Sequence, residues 1–182
     1  MKYIYIYIFL VLLYTCSNTN VNSQKVALDH QSLNKEENGS CVFKVINNDV
    51  VKYIFTIDIF HSDTTSLKSI FKTCPNIKVV KEKGVYDDIE YINFVFETPS
   101  VYVKFFKNNE GLYIDKALIK GDEIKLYKNS TIGMCKRDFC KLFSLEDTSC
   151  DTIIVVDEDQ TLSLNFIFNQ KYLKQLEIKA SE

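Results

Sequence analysis

A chain of 182 residues has room for one domain, or for two small ones that share a core. It carries 13 Phe and 11 Tyr, ample apolar area for that core, and only 2 Pro and 5 Gly, which excludes collagen-like and low-complexity architectures. The net charge of −2 comes from interleaved Lys and Asp/Glu without a basic stripe, so no nucleic-acid partner is expected.

The first fifteen residues, "MKYIYIYIFLVLLYT", set Lys2 ahead of an apolar run from Tyr3 to Leu13. That run falls short of the roughly 20 apolar residues of a bilayer span. Its charged-then-apolar order is that of an export signal, so residues 1–15 are assigned to a signal peptide. Two processing routes compete. In one, cleavage follows "VNS" (Val21 to Ser23) and leaves Gln24 first. In the other, "LYTC" (Leu13 to Cys16) resembles the bacterial lipobox, with Thr15 where Gly, Ala or Ser is usual, and Cys16 becomes the lipidated N-terminus. The apolar run ends almost at Cys16, and "SNTNVNSQ" behind it suits a flexible polar tether, which favours lipidation at Cys16. Acyl chains add ~0.8 kcal/mol per buried methylene, enough to hold a soluble body on a membrane. Residues 16–40, which include "NKEENGS", are expected to be lipidated tether and linker. The sequons at Asn38 and Asn129 would matter only in a eukaryotic source, and chance explains two of them in so Asn-rich a chain.

From Cys41 onward, short alternating apolar runs predict strands. In "KYIFTIDIF", Tyr53, Phe55, Ile57 and Ile59 share a face. "IEYINFVFE" aligns Ile92, Phe94 and Phe96, a turn follows at Thr98-Pro99-Ser100, and "VYVKFF" comes next. "KNNEG" is a second turn ahead of "GLYIDKALI". Later strands are expected in "EIKLY", "DTIIVVDE", "TLSLNFIF" and "YLKQLEIKA".

Two stretches have helical spacing instead. "DTTSLKSIFKT" places Leu67, Ile70 and Phe71 on one stripe, and "CKRDFCKLFS" does the same with Phe139, Leu142 and Phe143. Each makes about three turns and needs a sheet to lie on. Aligning Leu67 with Phe139 also aligns Ile70 with Leu142 and Phe71 with Phe143. The expected fold is therefore α+β: an antiparallel sheet with two short helices, arranged as tandem strand–helix–strands units over 41–120 and 121–182.

The second unit carries "STIGMCKRDFCKLF" and then "DTIIVVDEDQTLSLNFIFNQKYLKQLEIK". Gly133-Met134, a helix start, a stripe ending in Phe143 and a terminal hairpin resemble small exported bacterial proteins of the BamE-like and β-lactamase-inhibitory-protein-like type. The resemblance covers residues 123–180, and the first unit has His61-Ser62 in place of Gly-Met. The lipobox-like start and the Ile/Lys/Asn/Tyr-rich texture resemble Bacteroidetes lipoproteins. The resemblance implies binding of another protein through a sheet face or loops, without chemistry. The helix start usually holds Ser or Thr after Gly-Met; here Cys135 occupies the cap and Asp138 the acid position, a cap weaker by ~1 kcal/mol.

Cys41, Cys74, Cys135, Cys140 and Cys150 remain after export as structural thiols or disulfide partners. Cys135 and Cys140 point ~140° apart on one helix and should not bridge each other, so any disulfide joins distant segments, for example Cys41 or Cys74 with Cys150. No metal site is expected, because Cys-x₂-Cys is missing and His30 and His61 lie apart. His61-Ser62-Asp63 has the composition of a hydrolytic triad, but neighbours in sequence diverge, and Asp63 is better placed as a helix N-cap. Asp87-Asp88 and "DEDQ" (157–160) fall in turns and lack the Asp-x-Asp-x-Asp-Gly calcium pattern. No cofactor and no catalysis are expected. The expected protein is a non-catalytic lipoprotein, anchored in the outer membrane and facing the periplasm, that binds another protein in envelope assembly or as an inhibitor. The alternative is a secreted, disulfide-braced eukaryotic or parasite protein.

Overall fold

The computed structural model describes residues 32–35, 41–74, 76–83, 90–108 and 111–181. Residues 1–15, assigned above to a signal peptide, Cys16, most of the stretch assigned to a tether, His30, Asn38 and Asp87-Asp88 lie outside the described residues.

Among the described residues nine strands form one sheet: β1 (Ser32–Lys35), β2 (Cys41–Ile46), β3 (Asn76–Lys83), β4 (Glu90–Glu97), β5 (Val101–Lys107), β6 (Leu112–Ile119), β7 (Thr152–Val156), β8 (Leu162–Asn169) and β9 (Tyr172–Ala180). Their spatial order is β1-β2-β7-β8-β9-β6-β5-β4-β3. Among the described strands every pairing is antiparallel except β2 with β7. The sheet is thus mostly antiparallel, with a parallel step that the alternation pattern does not announce.

Among the described residues three short helices accompany it: α1 (Asn48–Lys52), α2 (Thr64–Ile70) and α3 (Lys136–Leu142). Two of them are the helices expected from sequence. At the start of α2, Asp63 accepts a hydrogen bond from the Ser66 N–H at 2.7 Å, the N-cap role expected of it. At α3, Cys135 is the N-cap and makes no side-chain capping bond; the Lys136 N–H instead donates to the Lys171 carbonyl at 2.7 Å. Gly133 precedes it with φ of +88°, a left-handed conformation that L-residues with a Cβ resist. The Gly-Met turn lies against the β8–β9 hairpin, with Gly133 N–H donating to the Leu173 carbonyl and Leu173 N–H to the Met134 carbonyl.

Three expectations need correction. "KYIFTIDIF" is not a strand: it holds the end of α1 and a bent turn. The decisive spacing is Val50, Val51, Ile54 and Phe55, all buried, which is a helical stripe and outweighs the Tyr53/Phe55/Ile57/Ile59 alternation. Asn47 starts α1 by accepting from the Val50 N–H at 3.1 Å. "EIKLY" is also not a strand. Ile124 and Leu126 are fully buried, but the segment has no ladder to join, since β6 is already paired on both edges by β5 and β9. It ends in a 3-10 turn (Tyr127–Asn129) with Lys128 and Asn129 at positive φ. Finally, Ser32–Lys35, placed in the linker, pairs with β2 as β1.

The core is one-sided. One face of the sheet carries an unbroken row across eight strands: Ile77, Phe96, Val103, Ala117, Ile178, Leu164, Val155 and Val45. Helices and the 124–126 segment cover it. Two aromatic nests anchor the cover. Phe71, closing α2, lies 4.7 Å from Phe96 and 5.2 Å from Phe55 between ring centres. Phe139 and Phe143 of the α3 region lie 4.7 and 5.6 Å from Phe166. Burial of each ring contributes about 2–3 kcal/mol, so these contacts dominate the seating of both helices.

Candidate binding surface

The residues with chemical potential disperse. His61 is exposed and its Nδ1 lies 2.9 Å from Asp58 Oδ2; the Ser62 hydroxyl donates to the Asp58 carbonyl; Asp63 caps α2. His61 and Ser62 both turn back to Asp58, one to its carboxylate and one to its carbonyl, while Asp63 turns to the Ser66 N–H, so each of the three bonds outside the trio. Asp58 itself is a hub: it pairs with Lys52 at 3.0 Å and accepts from the Phe60 N–H at 3.0 Å. Burial opposes its ionisation, yet the bonds from Lys52, His61 and Phe60 win and hold its carboxyl below the usual range. In "DEDQ", Asp157 accepts from the Thr161 hydroxyl and, at 2.9 Å, from the Leu162 N–H, so it ties the β7–β8 turn. Among the described residues no group of three or more His, Cys, Asp or Glu is placed to hold a metal ion. Asn129 of the second sequon is exposed.

The thiols separate into two classes. Cys41 and Cys150 form a disulfide, one of the pairings left open by sequence. Cys74, Cys135 and Cys140 are free. Burial pushes the Cys74 thiol up, and burial, helped by the charge of Asp147, does the same to Cys140. Neither is poised as a nucleophile. Cys135 is half-buried at the mouth of a cleft of about 400 Å³ shared with Lys136, Arg137, Asp147, Asp151 and Lys171. Lys136 is nearly buried there, 3.9 Å from Asp151 and 5.6 Å over the Phe168 ring. Three cations, Lys136, Arg137 and Lys171, share this cleft with two carboxylates, Asp147 and Asp151.

The second face of the sheet is the more distinctive surface. Among the described residues no helix lies over it, and its residues belong to none of the core cluster. In register across the strands, Val80, Asn93, Phe106 and Tyr113 form one row. Phe106 stacks on Tyr113 with ring centres 5.3 Å apart, and Tyr91 meets Phe106 edge-on at 6.0 Å. The next row is Lys78, Val95, Lys104, Lys116 and Lys179, and beyond it come Glu97, Tyr102, Leu118, Glu177, Asn165 and Ile154. The lysines are compensated: Lys78 by Glu97 at 2.9 Å, Lys104 by Asp115 at 3.1 Å, Lys179 by Glu177 at 3.3 Å, and Lys116 lies 5.8 Å over the Tyr102 ring. Aromatic rings are thus interleaved with paired charges across this face.

One polar atom on this face is unaccounted for. Asn93 is only 2% exposed, and its Nδ2 has no hydrogen-bond partner. Sequence reasoning passed over Asn93, Tyr91, Tyr102, Phe106 and Tyr113 because it followed the core-facing alternation of the same strands. The available signal was the second set of apolar residues at the intervening positions of "EYINFVF" and "VYVKFF".

No helix among the described residues is long and apolar enough to cross a membrane. Compared with protein-family models, curated proteins and solved structures, the chain matches none.

Proposed function

We propose that this chain is an exported, non-catalytic module that binds another protein through the bare face of its sheet, held at a membrane by lipid on Cys16. The observation that carries the binding part is the face that no described helix covers, where Tyr91, Phe106 and Tyr113 cluster beside charge-compensated lysines. Half-exposed aromatic groups on an ordered scaffold give large contact area at small entropic cost, which is the basis of interface anchors. Export is supported by the signal-like opening and by the Cys41–Cys150 disulfide, a bond that persists in oxidising compartments.

The resemblance to BamE-like and β-lactamase-inhibitory-protein-like units belongs to the same proposal. It is supported by the matched helix ends, since Leu67 and Phe71 of the first stretch and Phe139 and Phe143 of the second are all buried. Each of these helices also leads into a run of sheet strands, β3–β6 after α2 and β7–β9 after α3. An envelope-assembly or inhibitory partner fits this architecture. The competing secreted form shares the fold and differs at the N-terminus.

Two measurements test the proposal. Mass spectrometry of the mature N-terminus should find acylated Cys16; an unmodified start at Gln24 removes the anchor. A photocrosslinking residue at Tyr113 should join one defined partner in the native envelope, while the same residue at Lys68, exposed on α2, should not. Equal crosslinking at both positions would refute the sheet-face site.

A further inference from the structure

β3 forms one margin of the sheet: β4 pairs with its inner edge, and no described strand pairs with its outer edge. Such an edge presents a row of unpaired N–H and C=O groups. Its side chains are correspondingly bare. Val79 is 59% exposed and Val80 42%, on opposite faces of the strand, and Lys78, Lys81, Glu82 and Lys83 are exposed as well. Two adjacent exposed valines on a free edge are a pairing surface that the charges around them must either block or direct.

The charges direct it. In an antiparallel pairing of β3 with a second β3 about a two-fold through Val80, Val80 meets Val80. Lys78 of each copy then meets Glu82 of the other. These three pairs fall on the bare face of the sheet, because Lys78, Val80 and Glu82 alternate onto that side. On the helix-covered side Val79 meets Lys81, whose methylene stem can lie along it. A slip of one residue in either direction destroys the match, placing Lys78 against Lys81 or against Lys83. Like charges directly opposite are destabilising, which disfavours both slips; a two-fold through Val79 opposes no like charges but forgoes both Lys78–Glu82 pairs, so the Val80-centred register has the best charge match.

The groups are free to re-pair. Lys78 is bonded to Glu97 with 64% and 48% of the two side chains exposed, and Glu82 reaches Lys104 only at 3.9 Å. Lys104 has its closer partner in Asp115, at 3.1 Å. Transferring Glu82 to a lysine of a second copy therefore abandons little.

We infer that β3 is a self-association edge, pairing two copies of this chain antiparallel about Val80 with reciprocal Lys78–Glu82 contacts. The two sheets then run on as one, and the bare faces, each with its Tyr91–Phe106–Tyr113 cluster, join into a single surface twice as wide. The inference does not depend on what that surface binds. Backbone bonds and the valines hold the pair together, while the charge pairs set register.

The test is a charge-swap series on the full chain, followed by sedimentation equilibrium, with far-UV circular dichroism confirming each fold. The wild type should dimerise. Lys78→Glu sets carboxylate against carboxylate at both charge pairs, and Glu82→Lys sets ammonium against ammonium at both, so each alone should weaken the dimer about tenfold or more. An equimolar mixture of the two variants should recover it as a heterodimer, and the double variant should recover a homodimer. A wild type that stays monomeric up to about 1 mM overturns the inference, and would leave the edge to a strand of a different protein. A dimer insensitive to both reversals, or weakened by them without rescue in the mixture, overturns it equally.

Discussion

Cys41, the first residue of β2, is bonded to Cys150, two residues before β7 begins, with their Cα atoms 4.5 Å apart. The bond clasps the start of the parallel β2–β7 pair, whose strands are far apart in sequence. A separation of 109 residues makes this a long closed loop, the case in which a cross-link removes most freedom from the unfolded chain. Replacing both residues by Ala, or reducing the protein, should lower the free energy of unfolding by about 2–5 kcal/mol. Denaturant titrations with and without reductant measure this, and identical midpoints would contradict the bond.

The buried thiols predict an alkaline weakness. Burial raises the pKa of Cys74 and Cys140, so the native state keeps these protons longer than the unfolded chain does. Their contribution is complete below the ordinary thiol pKa of about 8.5 and is lost as pH rises beyond it towards the native values. Denaturant midpoints from neutral pH to about pH 10 should fall less steeply in a Cys74→Ala/Cys140→Ala variant than in the wild type. Tyr127, also raised by burial, ionises in both proteins, and its effect cancels in the comparison.

Asn93 predicts a stabilising substitution. Its Nδ2 is buried without an acceptor between Val80 and Phe106 in register, a cost of about 1–3 kcal/mol for a stranded donor. Asn93→Val removes the donor and suits a strand, so stability should rise by roughly that amount. Thermal or denaturant unfolding reads it. An unchanged midpoint would mean the amide does find an acceptor in solution.

Gly133 predicts a loss with no steric component. A Cβ built at this position would meet nothing within 4 Å, yet φ of +88° is left-handed. Gly133→Ala should therefore cost about 1–2 kcal/mol from backbone conformation alone. Because the same turn carries the Gly133 and Met134 bonds to Leu173, amide exchange at Gly133 and Leu173 should quicken before the rest of β9.

The extent to which the chain could be read locally differs from element to element. In β5 and β8, and on either side of the irregularities in β6 and β9, alternate residues are buried, so period two is written into the sequence. In α2 and α3 a narrow stripe ending in Phe71 or Phe143 does the same at the helical period. The stretch 50–59 carries both periods at once, and the choice fell to Val50 and Val51, which had to be buried together with Ile54 and Phe55. β3 was illegible for the opposite reason: of this edge strand only Ile77 packs against the core and residues 78–83 are exposed, so "NIKVVKEK" shows no buried alternation.

By itself, then, the sequence determined those strands and helices whose one buried face imprints a single period on neighbouring residues, as in β5, β8, α2 and α3. Long-range contact decided the remainder: that Cys41 meets Cys150, that β2 runs parallel to β7, that "EIKLY" finds no strand to pair with among the described residues, and that Asn93 is buried without a partner for its Nδ2. Periodicity records that a residue is covered. Only the packed chain says by what.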